Sequence, residues 1–160
     1  MERVMKVQEI QNTYRKLAGL KEKKLPIKMS FVVSRNLKKM EEVNNDVEEK
    51  RNELIEKYGK RKEDGSLDVE ENGNIKITKP NEFIADLTEL LDVEMDMAFE
   101  KITESDIEKC DTDGYDKLTV DEVGALAKSF NDMSSSLKDY IENINVVGLT
   151  FEYTADDVTR

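Results

Sequence analysis

Residues 30–62 read SFVVSRNLKKMEEVNNDVEEKRNELIEKYGKRK, and how this stretch is read decides the fold. From Val33 a seven-residue count holds. Val33, Met40, Val47 and Leu54 fall at one core position, and Leu37, Asn44, Arg51 and Tyr58 at the other. Alternating steps of four and three keep one stripe on one side of a helix. No proline interrupts Ser34–Lys62, and Gly59 is the sole glycine there. The other positions are mostly Glu, Lys, Asn and Arg, which suit a solvated face. A helix over 30–62 would run roughly 50 Å at 1.5 Å per residue. That exceeds the usual width of a compact domain of 160 residues. Part of it is therefore expected to project, or to pack on another copy. Asn44 and Arg51 interrupt the apolar seam, where polar groups cost stability and set register or copy number. Two arrangements stay open: an amphipathic helix folded on its own chain, and a helix that also joins copies. The expectation carried forward is a homo-oligomer with the seam Val33, Leu37, Met40, Asn44, Val47, Arg51 and Leu54.

Before this stretch, Val7, Ile10, Tyr14 and Leu17 repeat with 3-4-3 spacing and predict a helix over 4–20. The basic connector KEKKLPIK, Lys21–Lys28, contains the helix-breaking Pro26. It would let the two helices pair antiparallel as a hairpin or coiled coil. After the stretch, Glu63-Asp64-Gly65-Ser66 marks a turn. Leu67, Val69, Ile75 and Ile77 then alternate around Asn72-Gly73, predicting a β-hairpin with strands 66–70 and 74–78. Phe83, Leu87, Leu90 and Leu91 place a helix over 81–92. Val93, Met95, Met97 and Phe99 alternate as a strand over 93–100. Ser105-x-x-Glu108 and Thr119-x-x-Glu122 have capping-box spacing, and the second opens a helix over 120–131. A helix over 134–145 and a strand over 146–153 complete one elongated domain, 1–153, with 154–160 a frayed tail. No internal repeat is evident. The fold class is α+β: a long antiparallel helical hairpin or coiled coil, a small β-hairpin and a mixed β element.

Composition narrows the function. The chain has no His and no Trp, and Cys110 is its lone cysteine. His-based triads and His- or Cys-rich zinc sites are thereby excluded, and so is an intramolecular disulfide. Neither a P-loop nor a dinucleotide-binding glycine motif occurs. With no apolar leader and no long apolar run, a cytoplasmic protein without a membrane span is expected. Charge is divided unevenly. Residues 1–62 carry 17 Lys/Arg against 10 Asp/Glu, and the remainder 8 against 26. Two such halves meet inside the protein, meet between copies, or face a charged partner.

Two constellations could bind something. Lys21, Lys23, Lys24, Lys28 and Arg35, with Lys38 and Lys39 nearby, could pair with phosphates of a small ligand or with an acidic protein surface. The bland alternative is a solvated connector facing the acidic half. Little aromatic interleaving and an acidic whole argue against direct nucleic-acid binding. The acidic half could mimic nucleic acid or simply confer solubility. The run Asp111–Glu122 resembles a calcium loop of the EF-hand kind, with Asp111, Asp113 and Glu122 at positions 1, 3 and 12. Tyr115 and Asp116 depart from the pattern at positions 5 and 6. The alternative is an acidic turn before a capped helix. No cofactor is expected.

Ser34–Met40, the charged helix, the Glu63-Asp64-Gly65 turn, Asn72-Gly73-Asn74, Asn81-Glu82-Phe83 with Leu90-Leu91, and Leu118-Thr119 together resemble one group. These are small proteins of unassigned role encoded by temperate phages of Gram-positive bacteria. The likeness covers roughly residues 5–130 and brings no active site with it. It implies phage origin and action or assembly in a bacterial host cytoplasm. The function expected is a non-enzymatic oligomeric protein that blocks or sequesters a host component, either a defence protein or a charged nucleotide signal. The alternatives are a virion or tail-assembly component and a calcium-binding module.

Overall fold

The computed structural model describes residues 2–131. The expected helix 134–145, strand 146–153 and tail 154–160 lie outside the described residues. Among the described residues the architecture is α+β: a two-stranded antiparallel sheet and five α-helices, one of them far longer than the rest.

The long helix is α2, Ile27–Tyr58, 32 residues, or about 48 Å. Both ends lie nearer the N-terminus than the heptad count places them. Pro26 precedes the first turn, where a missing N–H costs nothing, and its carbonyl accepts the Ser30 N–H at 2.9 Å. At the other end the chain turns extended at Gly59. A Cβ there would come within 2.5 Å of the Ile55 carbonyl oxygen and 2.6 Å of Leu67 Cδ2. Only glycine fits this close crossing.

Two different neighbourhoods divide α2. From Met29 to Val47 its inner face is buried through Met29, Val32, Val33, Asn36, Leu37, Met40, Val43 and Val47. From Glu48 to Lys57 no residue is buried. Hence four residues of the expected oligomer seam, Val33, Leu37, Met40 and Val47, sit in the chain's own core. The other three, Asn44, Arg51 and Leu54, keep solvent exposure.

The N-terminal expectation needs correction. Glu2–Lys6 is a strand, β1, and the helix α1 starts only at Val7 and ends at Leu17, followed by a 3-10 turn, Ala18–Glu22. The 3-4-3 spacing begins at Val7, whereas before it Val4 is exposed and Met5 buried, a strand-like alternation. β1 pairs antiparallel with β2, Glu94–Ala98, in the register Glu2↔Ala98 through Lys6↔Glu94. The Val7 N–H then reaches the Val93 carbonyl at 2.9 Å. α1 returns alongside α2: Gln11, Tyr14 and Arg15 share a cleft with Asn44, Glu48 and Arg51, while Lys21 meets Glu41.

The remaining elements close the core. They are α4, Glu104–Lys109, and α5, Val120–Phe130, close to the expected 120–131. Thr103 caps α4 with Asp106 as its partner, two residues before the expected Ser105 box; Ser105 lies within the helix. Thr119 and Glu122 cap α5 as expected. Ile10, Leu17, Leu37, Met40, Ile102, Leu126 and Phe130 are fully buried, and the Phe99 and Phe130 rings meet edge-on at 4.9 Å.

Beyond this body α2 continues into an arm. α3, Pro80–Leu91, comes back along it and has no buried residue. Between the two helices the regular hairpin expected at 66–70 and 74–78 is replaced by three short segments. Isolated antiparallel bridges join Gly59 to Ile77, Arg61 to Leu67, and Val69 to Ile75. The backbone closes a ring. Lys60 N–H donates to Lys76 O at 2.8 Å, Lys76 N–H to Asp68 O at 2.9 Å, and Asp68 N–H to Lys60 O at 2.8 Å. Both intervening turns are built alike. Gly65 and Gly73 have φ of 86° and 89°, which favours glycine. Asp64 Oδ1 accepts the Ser66 N–H at 2.9 Å, and Asn72 Oδ1 the Asn74 N–H at 3.0 Å. Residues 58–79 therefore contain an internal repeat that the sequence reading passed over, because its unit is only eight residues long.

Candidate functional site: a clasped basic connector and an open arm

The connector residues leave the 3-10 turn and enter the first turns of α2, facing the acidic half of the chain. Lys23 Nζ lies 2.6 Å from Glu122 Oε1, Lys28 Nζ 3.0 Å from Asp106 Oδ1, and Arg35 Nε 3.4 Å from Glu100 Oε1. Lys21 pairs within the basic half, with Glu41 at 3.3 Å. Lys24 engages through its backbone: its N–H donates to Asp116 Oδ2 at 2.7 Å and its carbonyl accepts the Asp116 N–H at 2.8 Å. Lys39 donates to the Ala98 carbonyl. Further along, Lys6 faces Asp92 and Lys57 faces Asp86. Ion pairs within one chain thus join the basic half to the acidic half. Of the five residues put forward as phosphate partners, four already hold a carboxylate, and their partners are spread over α2, α4, α5 and the loops between.

The shortest of these pairs is partly desolvated. The Lys23 and Glu122 side chains are 24% and 9% exposed, so they sit where water screens the pair less than at an open surface. Asp106 is also tucked in, and its carboxyl lies below the ordinary value. Burial pushes it up, but hydrogen bonds from Lys28 and from Thr103 outweigh that. Burial, with Asp111 and Asp106 close by, pushes the Cys110 thiol up. A thiol held protonated and buried is a poor nucleophile.

Of the calcium-like set, Glu122 accepts from Lys23 and from the Thr119 N–H, the latter at 2.7 Å. Gly114, at φ +95°, makes the sharp turn in the fourth place of the loop. Among the described residues no group of three or more His, Cys, Asp or Glu side chains is placed to hold a metal ion. A groove of 420 Å³ between β1, α1 and α5 mixes Arg3, Lys16 and Lys128 with Glu9 and Asp121 on its walls. Arg3 itself is engaged, donating to the Ser129 and Asn131 carbonyls at 3.1 and 2.7 Å. Among the described residues no helix is long and apolar enough to cross a membrane.

The sequence reading missed Asn36. It is fully buried, and its amide makes both hydrogen bonds of a strand partner to one residue: Nδ2 donates to Glu100 O at 2.9 Å, and Oδ1 accepts from Glu100 N at 2.8 Å. The signal was present, since Asn36 falls on the stripe of Met29, Val32, Val33, Leu37 and Met40. The seven-residue count passed it by.

The arm is the other candidate surface. Leu54, Ile55, Phe83, Leu87, Leu90 and Leu91 are only half-buried, and Ile84 is 58% exposed. A cleft of 250 Å³ between α2 and α3 is floored by Leu54, Leu90 and Val93 and rimmed by Lys50, Glu53, Asp86 and Glu89. The arm's firmest point is Tyr58, which is buried, stacks edge-on with Phe83 at 6.1 Å and donates its hydroxyl to Asp86 Oδ2 at 2.6 Å. No protein family, curated protein or solved structure matches the chain.

Proposed function

We propose that this is a non-enzymatic, phage-encoded binding protein that acts as a homo-oligomer in the host cytoplasm and occupies a host protein. The observation that carries this reading is the arm. Two helices that leave a leucine-rich face half-covered are marginal alone, and covering that face with two further helices gives a four-helix packing. Prior pairing of Lys21, Lys23, Lys28 and Arg35 with carboxylates supports a protein partner over a charged nucleotide. A nucleotide would have to displace those carboxylates. Light scattering over a range of concentrations tests the assembly, with Ile84→Asp as the control. The native chain is expected at a multiple of its 18.4 kDa and the variant at a single copy. A native protein that stays at one copy throughout, and that retains no host protein on affinity purification, removes the reading.

A particle-assembly role is the second reading. The hydrogen-bonded ring at the arm's tip favours it, because a projecting element with an internally braced end suits repeated contacts between copies. Mass spectrometry of purified particles separates the two, since a structural part is present in many copies and a host-directed protein is absent.

A further inference from the structure

The two outer edges of the small sheet differ. The Val7 N–H bonds the Val93 carbonyl. By antiparallel alternation the peptide groups of Arg3 and Met5 then face β2, and those of Glu2, Val4 and Lys6 face away. The same rule turns the Ala98 carbonyl outward on β2. There Lys39 donates to that carbonyl, and Asn36 pairs with both peptide groups of Glu100 just beyond. The long helix thus covers that end of the β2 edge. The β1 edge instead borders the groove of 420 Å³, and among the described residues no strand pairs with it. Val4, at its middle, is 59% exposed.

An open edge is a template for another strand, and the residues of β1 specify which. Glu2-Arg3-Val4-Met5-Lys6 is self-complementary when two copies are set antiparallel about Val4. Val4 then meets Val4, and each Glu2 meets the other copy's Lys6. The edge allows this register, since Glu2, Val4 and Lys6 are the residues whose peptide groups face outward. The two Val4 residues exchange both hydrogen bonds, and their side chains cover each other on the face that carries Glu2 and Lys6. A shift of two residues sets Glu2 or Lys6 against Val4 and loses both charge pairs. Within its own chain Lys6 reaches Asp92 only at 3.9 Å, so it can turn to a closer carboxylate.

We propose that β1 is a second contact between copies, in which the edges of two chains pair antiparallel about Val4 and make one four-stranded sheet, β2-β1-β1-β2. The contact is separate from the arm and goes beyond the reading above. A five-residue edge is smaller than a stable interface, so it holds copies weakly and adds to the arms without replacing them. Two self-complementary contacts on one chain close copies into a tetramer or extend them as a chain.

Disulfide trapping of the full chain tests this, because oxidation accumulates a weak contact that scattering does not register. In the proposed register the two Val4 Cα atoms lie about 5.5 Å apart, within reach of a disulfide, and the two Glu2 Cα atoms roughly 15 Å apart. Val4→Cys is therefore expected to link to itself. Glu2→Cys alone and Lys6→Cys alone are not, but a mixture of the two is. The native chain, whose Cys110 is buried, is the control. Adding Glu2→Lys to Val4→Cys should slow linking about fivefold, and adding Lys6→Glu as well should restore it. The same linking is expected in the Ile84→Asp background, so a failure of the arm contact leaves this test intact. Hydrogen exchange is the second measurement, and the Val4 amide should exchange more slowly as protein concentration rises. A Val4→Cys chain that stays single, or that links no faster than Glu2→Cys, overturns the proposal. So does Val4 exchange that is independent of concentration: fast throughout leaves the edge unpaired, and slow throughout gives it to the chain's own residues.

Discussion

The body and the arm share one helix and obey different rules. Up to Val47, α2 is covered on its inner face by α1, the 3-10 turn, α4 and the loops between, and Leu37 and Met40 reach zero exposure. From Glu48 onward the same helix shares a polar cleft with α1 at Glu48 and Arg51 and otherwise meets α3 and the small ring, and of its apolar side chains only Tyr58 is buried. Continuous helix is therefore not continuous core. The first part is held by depth of burial, whereas the second is held by local devices: a tyrosine bonded to Asp86, a glycine crossing and a ring of backbone hydrogen bonds.

Equivalent truncations in the two regions should separate them most widely. Leu37→Ala removes a fully buried side chain and should cost about 3 kcal/mol in urea unfolding. Leu54→Ala, half-buried in the single chain, should cost about 1 kcal/mol or less at low concentration. If the arms cover one another, the Leu54→Ala cost rises with protein concentration while the Leu37→Ala cost does not. Equal costs at all concentrations would erase the distinction between body and arm. Asn36→Ala comes next. It leaves the Glu100 N–H and carbonyl without their partner, and about 2 kcal/mol should be lost. Asn36→Leu should not restore it, since the two peptide groups stay unpaired. In the arm, Gly59→Ala should cost about 1–2 kcal/mol through the clash with Ile55 O and Leu67. Hydrogen exchange should place that loss at residues 59–77 and leave α5 amides protected as before. Faster exchange in α5 would show that the two regions unfold as one.

Much of the body could be read directly, because burial there follows a period. Val7, Ile10 and Leu17 mark α1, Val33 to Val47 mark the inner face of α2, and Thr119 with Glu122 mark the start of α5. The N-terminal strand was hidden because five residues of alternation precede a strong helix pattern, and the partner β2 lies almost ninety residues away in sequence. Tertiary pairing decided it, and local propensity could not. The arm's tip was half legible. Asn-Gly marked a turn correctly, but the matching Asp-Gly eight residues earlier builds the same turn, so three segments close on each other where two were expected. The candidate site was legible as charge and illegible as pairing. Residue types indicated that a basic segment needs acidic company, and only the fold shows which carboxylate each lysine meets. The seven-residue seam had the opposite fate. Its periodicity was real, but α1 and the loops of the same chain cover most of it.

The smallest expected effect tests the clasp itself by pH. Asp106 is the carboxylate that Lys28 holds, and its carboxyl lies below the ordinary value, against the upward push of burial. A group whose folded value is depressed stabilises the fold above its unfolded value, about pH 4 for Asp, and loses that contribution as pH falls through the lower folded value. Lys28 is 64% exposed, so Lys28→Ala should cost no more than about 1 kcal/mol at neutral pH. That difference should shrink as pH drops below about 4 and vanish once Asp106 is protonated in both proteins. Urea unfolding of native and variant protein at neutral pH and at a series of acid pH values follows it. The Thr103 hydrogen bonds survive the substitution, so Asp106→Asn should show the larger loss at neutral pH and the same convergence in acid. A Lys28→Ala difference that stays constant into the acid range would mean that the lysine acts through its aliphatic stem on α4, and that the pairing of basic and acidic halves contributes little to holding the body closed.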